Sequence, residues 1–109
     1  MPTVLEYLDD QGQSPFERWL DDLAAPAALK VRTALARLEA GNTSALKSVG
    51  AGVHEVRIDF GPGYRIYLGI DGLELVILLG GSAKVRQSAA IADAQGRWND
   101  YRRRKRRGD

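Results

Sequence analysis

Two arginines and a tyrosine stand at alternate positions of neighbouring apolar runs, Arg57 in the run 53–60 and Arg65 with Tyr67 in the run 64–70. Gly61-Pro62-Gly63 separates the two runs. Side chains along a strand alternate between its faces, so residues of one parity share a face. A three-residue loop would set Phe60 opposite Tyr64, Ile58 opposite Ile66 and Val56 opposite Leu68, all apolar, as a buried face requires. The other face then carries Glu55, Arg57 and Asp59 beside Arg65 and Tyr67, with Arg57 across from Tyr67 and Arg65 across from Asp59. A two-residue Asp71-Gly72 turn brings the next run alongside, placing Leu78 beside Arg65 and Val76 beside Tyr67. Two chemistries suit such a face. Arg57, Asp59 and Arg65 can neutralise one another as a salt-bridged surface, a common use of charged pairs. Alternatively the guanidinium groups, planar forks of donors that stay charged at any working pH, hold phosphate oxygens. Lys47, Lys84, Arg86 and Gln87, all near strand ends, can join them.

Composition narrows the choice. Cysteine is absent and histidine occurs once, at His54, so neither a disulfide framework nor a Cys/His zinc site can be built; no metal or other cofactor is expected. No stretch approaches the roughly 20 apolar residues of a membrane helix, and charges interrupt the apolar residues of MPTVLEYLDD. The sequence therefore reads as cytoplasmic, without a membrane partner. Its net charge of +2 hides an uneven distribution. Residues 102–107 read RRRKRR, and without residues 102–109 ten basic side chains stand against thirteen acidic ones. Residues 1–29 hold six acids and one base, Arg18, whereas residues 30–101 hold nine bases and seven acids. A phosphate-binding surface thus belongs to the second half of the chain, with the tail as a further contributor.

The elements that must position these residues follow from periodicity. A chain of 109 residues builds one core, here residues 1–101, followed by a basic tail, 102–109. Residues 3–8 suit a short strand. Ser14-Pro15-Phe16-Glu17 reads as a capping box, with Pro15 in the first helical turn. Phe16, Trp19, Leu20 and Leu23 then fall on one helical face, which makes Trp19 a core residue. Pro26 opens a second helix that Gly41-Asn42 ends, and so short a link predicts a helical hairpin. From Leu46 the period becomes two, with strands at 53–60, 64–70 and 73–79 that Gly80-Gly81 stops. Helical spacing returns over 86–101, where Ile91, Ala94, Trp98 and Tyr101 share a side. The expected class is α+β, an N-terminal strand and helical hairpin packed on an antiparallel sheet with a C-terminal helix.

The ordered set of segments resembles a known family. Arg37-Leu38-Glu39-Ala40-Gly41-Asn42, then Lys47 through Ile58, then Gly61-Pro62-Gly63-Tyr64-Arg65-Ile66-Tyr67, resemble the HigB-like addiction-module killer proteins of the RelE/ParE superfamily. Phe16-Glu17-Arg18-Trp19-Leu20 and Leu78-Leu79-Gly80-Gly81 fit as well, so the likeness runs from about Tyr7 to Tyr101. It implies a RelE-like, microbial ribonuclease-like fold. It also implies the toxin of a type II toxin–antitoxin system, an mRNA interferase that cuts messenger RNA on the ribosome, inhibits translation and arrests growth. The implied partners are the ribosome, messenger RNA and a cognate HigA-like antitoxin with a helix-turn-helix, through which alone it would meet operator DNA. Family-active positions carry over to Arg65 in Gly-Tyr-Arg-Ile-Tyr and Arg57 in Glu-Val-Arg, with Lys84 after the last strand and Lys47 before the sheet. Relatives usually carry acids where this chain has Ala83 and Ala90; Lys84, Gln87 and Ile91 match.

Metal-independent RNA cleavage uses the neighbouring 2′-hydroxyl as nucleophile, so a protein must help remove its proton, stabilise charge on phosphorus and protonate the leaving 5′-oxygen. The expected catalytic set is Arg57 and Arg65 on the scissile phosphate, Lys84 as a second electrostatic or acid group, and Tyr67 stacking or donating a hydrogen bond. Glu55 is the candidate base. His54 alternates onto the apolar face and is read as structural, and Trp98 as core. Lys47, Arg86 and Gln87, with Arg102, Arg103 and Arg104 of the tail, are the expected RNA-binding residues. Two alternatives keep the fold and drop the chemistry: a ParE-like toxin that inhibits DNA gyrase, and a decayed toxin that acts only as an antitoxin-binding corepressor.

Overall fold

The computed structural model describes residues 2–72 and 75–108. Strand β1 spans Thr3–Glu6, helix α1 Pro15–Asp21 and helix α2 Ala25–Glu39. Strands β2 (Lys47–Gly50), β3 (Val53–Ile58), β4 (Tyr64–Asp71) and β5 (Leu75–Ala83) follow, and a short 3-10 turn at Lys84–Arg86 leads into helix α3, Gln87–Arg107. Ser14 caps α1 as its sequence predicts, its hydroxyl accepting from the Glu17 N–H at 3.0 Å. At the end of α2, Gly41 at φ 87° lets its own N–H reach the Leu38 carbonyl and the Asn42 N–H reach the Arg37 carbonyl.

The sheet has the order β1-β5-β4-β3-β2. It is mixed, not purely antiparallel: β1 pairs with β5 in parallel, Thr3 opposite Leu75 and Glu6 opposite Leu78. The N-terminal strand is therefore an edge of the sheet, with Val4 packed against the core beneath the helical hairpin. Its pairing spans most of the chain length, a contact that local periodicity does not encode.

Two registers also differ from expectation. Strand β3 ends at Ile58, which pairs with Tyr64, so the loop is residues 59–63 and every β3–β4 pair slips by two. Turn bonds from the Phe60 N–H to the Ile58 carbonyl and from the Gly63 N–H to the Phe60 carbonyl close this wider loop. On the other side Asp71 pairs with Leu75, not Ile70 with Leu73; Leu73 and Glu74 lie outside the described residues. Strand β5 does not stop at Gly80-Gly81 but runs to Ala83, with a register shift that leaves Leu79 as an extra residue between Leu78 and Gly80.

Each face of the sheet carries its own core. Helices α1 and α2 cover one face through Phe16, Val31 and Leu38, packed on Val56, Ile58, Ile66 and Leu68. Helix α3 covers the other through Ala94 and Trp98, packed on Val53, Tyr67, Ile77 and Leu79. Two glycines permit this closeness. A Cβ on Gly81 would stand 2.2 Å from the Trp19 ring and one on Gly69 would stand 2.3 Å from the Trp98 ring, so each indole lies on bare backbone. At 1.5 Å per residue, the 21 residues of α3 give a rod of about 31 Å. Its far end is pinned by polar contacts. Tyr101 donates to Asp71 at 2.7 Å, Tyr7 donates to Asp100 at 2.6 Å, and Arg104 donates to the Leu8 carbonyl at 2.6 Å. The basic run 102–107 forms the last turns of α3, which ends on Gly108 in the left-handed conformation. Among the described residues no helix is long and apolar enough to cross a membrane.

Candidate functional site

The slip of two residues keeps the β3 and β4 side chains on their expected faces and changes their neighbours. In β5 the longer turn reverses the faces: Val76 and Leu78, expected beside the arginines, lie on the hairpin side. Arg57 is paired with Arg65 and Glu55 with Tyr67, whereas Asp59 lies beyond β3 and faces no residue of β4. Strand β5 adds Ser82 beside Arg65 and Gly80 beside Tyr67, in place of the expected Leu78 and Val76. Strand β2 adds Lys47 beside Glu55. On the α3 face, one row thus reads Lys47, Glu55, Tyr67, Gly80 and the next Arg57, Arg65, Ser82.

Two guanidinium groups side by side repel one another unless an acid lies between them. Glu55 fills that role, and Asp59 does not: the Arg57–Asp59–Arg65 surface is not formed. The Glu55 side chain is fully buried; its Oε1 accepts from Arg57 Nε at 3.3 Å and its Oε2 accepts from Gln87 Nε2 at 2.9 Å. Arg65 Nε lies 4.0 Å from Oε2. Gln87 is the first residue of α3, so this carboxylate also fastens the start of the helix to the sheet.

The two arginines differ in exposure. Arg65 is 5% exposed, its Nη1 donating to the Tyr64 carbonyl at 3.0 Å, and its Nε has no hydrogen-bond partner among the described residues. The Arg57 side chain is half exposed. Lys84 is exposed as well, and the loop brings it to Arg65: its N–H donates to the Gly63 carbonyl at 3.0 Å, and a Cβ on Gly63 would sit 3.6 Å from Lys84 Cβ and 3.9 Å from Arg65 Nη1. Gly63 at φ 85° is thus the hinge between the two cations. Arg86 is exposed in the 3-10 turn next to them.

Tyr67 has no exposed surface, so it offers no ring face to a base; β4 is central and covered on both sides. Its hydroxyl shares a 3.1 Å hydrogen bond with Ser82 Oγ. Burial, aided by the charge of Glu55, raises its pKa above 10.0 and keeps the phenol protonated. Sequence reasoning missed Ser82 and Gly63. Both sit where the two turn lengths decide the neighbours, and only the Gly-Pro-Gly loop carried a signal.

The tail arginines lie apart from this cluster. From Gln87 to Arg102 is 15 residues, about 22 Å along the helix axis. Arg103 and Arg104 pair with Asp100 at 2.9 and 2.6 Å, and Arg102 is exposed beside Trp98 and Tyr101 in a separate cleft. His54 is half-buried, lines that cleft, and has Nδ1 unpartnered among the described residues.

Fold and site together define a small α+β protein that gathers cations on one end of a mixed five-stranded sheet under a C-terminal helix. No protein-family model matches the chain. It is 42% identical over 81 residues to an uncharacterized protein of Haemophilus influenzae, the match covering 73% of this chain and 82% of that protein. The chain belongs to the same family as that Haemophilus protein.

Proposed function

We propose that the chain is the toxin of a type II toxin–antitoxin pair, a HigB-like member of the RelE/ParE superfamily that cuts messenger RNA on the ribosome and is neutralised by a cognate antitoxin in the cytoplasm. The observation that carries this reading is the pairing of Arg57 with Arg65 on adjacent strands, held by one buried carboxylate and flanked by exposed Lys84. Counting Glu55, the cluster keeps an excess of two positive charges at the surface, which suits a phosphodiester. In the reaction the 2′-oxygen attacks phosphorus as its proton passes to solvent water, and the bond to the 5′-oxygen breaks as that oxygen takes a proton from water, leaving a 2′,3′-cyclic phosphate and a 5′-hydroxyl. Arg57 and Lys84 would touch the phosphate oxygens, and Arg65 behind them would add to the field that stabilises the extra charge. Both oxygens of Glu55 are occupied by donors, so its role is to aim the guanidinium groups rather than to take the 2′ proton.

Induction of the protein in growing bacteria tests the reading, through pulse labelling and mapping of transcript 5′ ends. Early loss of protein synthesis with cuts inside translated frames is the expected result, and Arg65→Ala is expected to lose growth arrest while keeping its circular dichroism. Early loss of DNA synthesis with a DNA-damage response would replace this reading with gyrase inhibition. One observation favours a second reading, a corepressor that binds the antitoxin without cutting RNA: alanines stand at 83 and 90, where the resemblance to HigB-like proteins implies acids. Unimpaired growth together with tight antitoxin binding is its signature.

A further inference from the structure

A cleft of about 680 Å³ opens at the end of α3 far from the arginine cluster, within the range of roughly 300–1,000 Å³ typical of ligand sites. Helix α3 supplies one wall through Trp98, Tyr101, Arg102, Lys105 and Arg106. Their spacing explains the arrangement: 98, 102 and 106 lie one turn apart on one stripe, and 101 and 105 on the next. Aromatic rings therefore form the inner part and cations the outer turns. Ile70, 38% exposed, and Asp71 complete the opposite wall with His54.

The charge of this cleft is unbalanced. Asp71 is already engaged by Tyr101 at 2.7 Å and Lys105 at 2.5 Å. Among the described residues Arg102 and Arg106 pair with no acid. Trp98 has no ring face to offer a nucleobase, because it lies on Gly69 on one side and stacks on Tyr101 at 5.3 Å on the other. An exposed isoleucine sharing a cleft with two guanidinium groups that no described acid engages suits an aliphatic side chain flanked by carboxylates.

We infer that the cleft docks an acidic amphipathic segment of a partner protein, seating an aliphatic residue on Ile70 and Tyr101 and carboxylates on Arg102 and Arg106. The inference requires no action on RNA and goes beyond the ribonuclease reading. Helix-in-groove recognition of this kind draws affinity from the apolar anchor and orientation from the charges.

The probe is a fluorescein-labelled twelve-residue helical peptide bearing two leucines one turn apart and four glutamates, followed by anisotropy with the full chain. Saturable binding is expected. Replacing its glutamates by glutamines, its leucines by serines, or Arg102 and Arg106 of the protein by glutamate should each weaken binding about tenfold or more. Ile70→Ser should do the same, and circular dichroism checks that these surface variants fold. Equal binding of the glutamine peptide, or no effect of Ile70→Ser and the double reversal, would overturn the inference. So would displacement of the peptide by a uridine dodecamer at lower concentration than by unlabelled peptide, which would assign the cleft to nucleic acid.

Discussion

Replacing Glu55 by alanine removes the acid that lets two arginines stand side by side. Its side chain is fully buried, and it serves Gln87 at 2.9 Å, Arg57 at 3.3 Å and Arg65 at 4.0 Å. Removing one partner of a buried pair costs about 3–5 kcal/mol, because the remaining charge is left without compensation. The share owed to Arg57 is small, about 1 kcal/mol at most, since half of that side chain is in water and screens itself. Arg65, 5% exposed, cannot do so. The expected loss for Glu55→Ala is therefore about 3 kcal/mol or more, lowering the melting temperature by about 12 °C or more in a domain of this size. Glu55→Gln keeps an acceptor oxygen and should lose about 2 kcal/mol. Urea is the proper denaturant, since guanidinium chloride would screen the repulsion being measured. The diagnostic step is a double-mutant cycle: in an Arg65→Met background the same Glu55→Ala change should cost about 2 kcal/mol less. A loss below about 1 kcal/mol, or the same loss in both backgrounds, would refute the reasoning that Glu55 compensates Arg65.

Other consequences can be checked separately. Gly69→Ala would drive a methyl into the Trp98 ring, 2.3 Å away, and should cost about 1–3 kcal/mol with a shift in Trp98 emission; an unchanged protein would mean that α3 rests loosely on the sheet. Tyr7 and Tyr101 are both pushed up to about 12, chiefly by burial and then by their hydrogen bonds to Asp100 and Asp71. With folded values above the unfolded 10, their contribution is whole below pH 10 and is lost as pH rises toward 12. A Tyr7→Phe, Tyr101→Phe variant should show a shallower loss of stability over that window in alkaline urea titrations. Arg104→Ala removes the hydrogen bond to the Leu8 carbonyl, the pair with Asp100 and the cation lying over Tyr7 at 5.4 Å. It should cost about 1 kcal/mol and speed amide exchange in β1, and unaltered exchange there would contradict the link.

The sequence made side-chain orientation legible because alternation is local. Val56, Ile58, Ile66 and Leu68 point to one core, and Arg57 and Arg65 to the opposite face, whether or not the register is right. Neighbours were less legible, since each depends on a loop length. Reading 61–63 as the loop, where the structure has 59–63, left all parities intact yet exchanged Asp59 for Glu55 as the compensating acid. The glycine pair 80–81 looked like a strand end because glycine weakens isolated strands. In the fold, Gly81 instead makes room for Trp19, a contact between residues 62 positions apart. The parallel pairing of β1 with β5 is equally remote in sequence, and no local pattern announces it. Capping was readable because Ser14 and Glu17 are three residues apart.

The two indoles resting on glycine backbone have a practical corollary. Trp19 belongs to the hairpin layer and Trp98 to the terminal-helix layer, and the chain has no third tryptophan. Substituting either one by phenylalanine leaves a single tryptophan, excited selectively beyond the tyrosine band, that reports its own side of the molecule. Peeling away of one layer can then be told apart optically from melting of the whole protein, without attaching a dye.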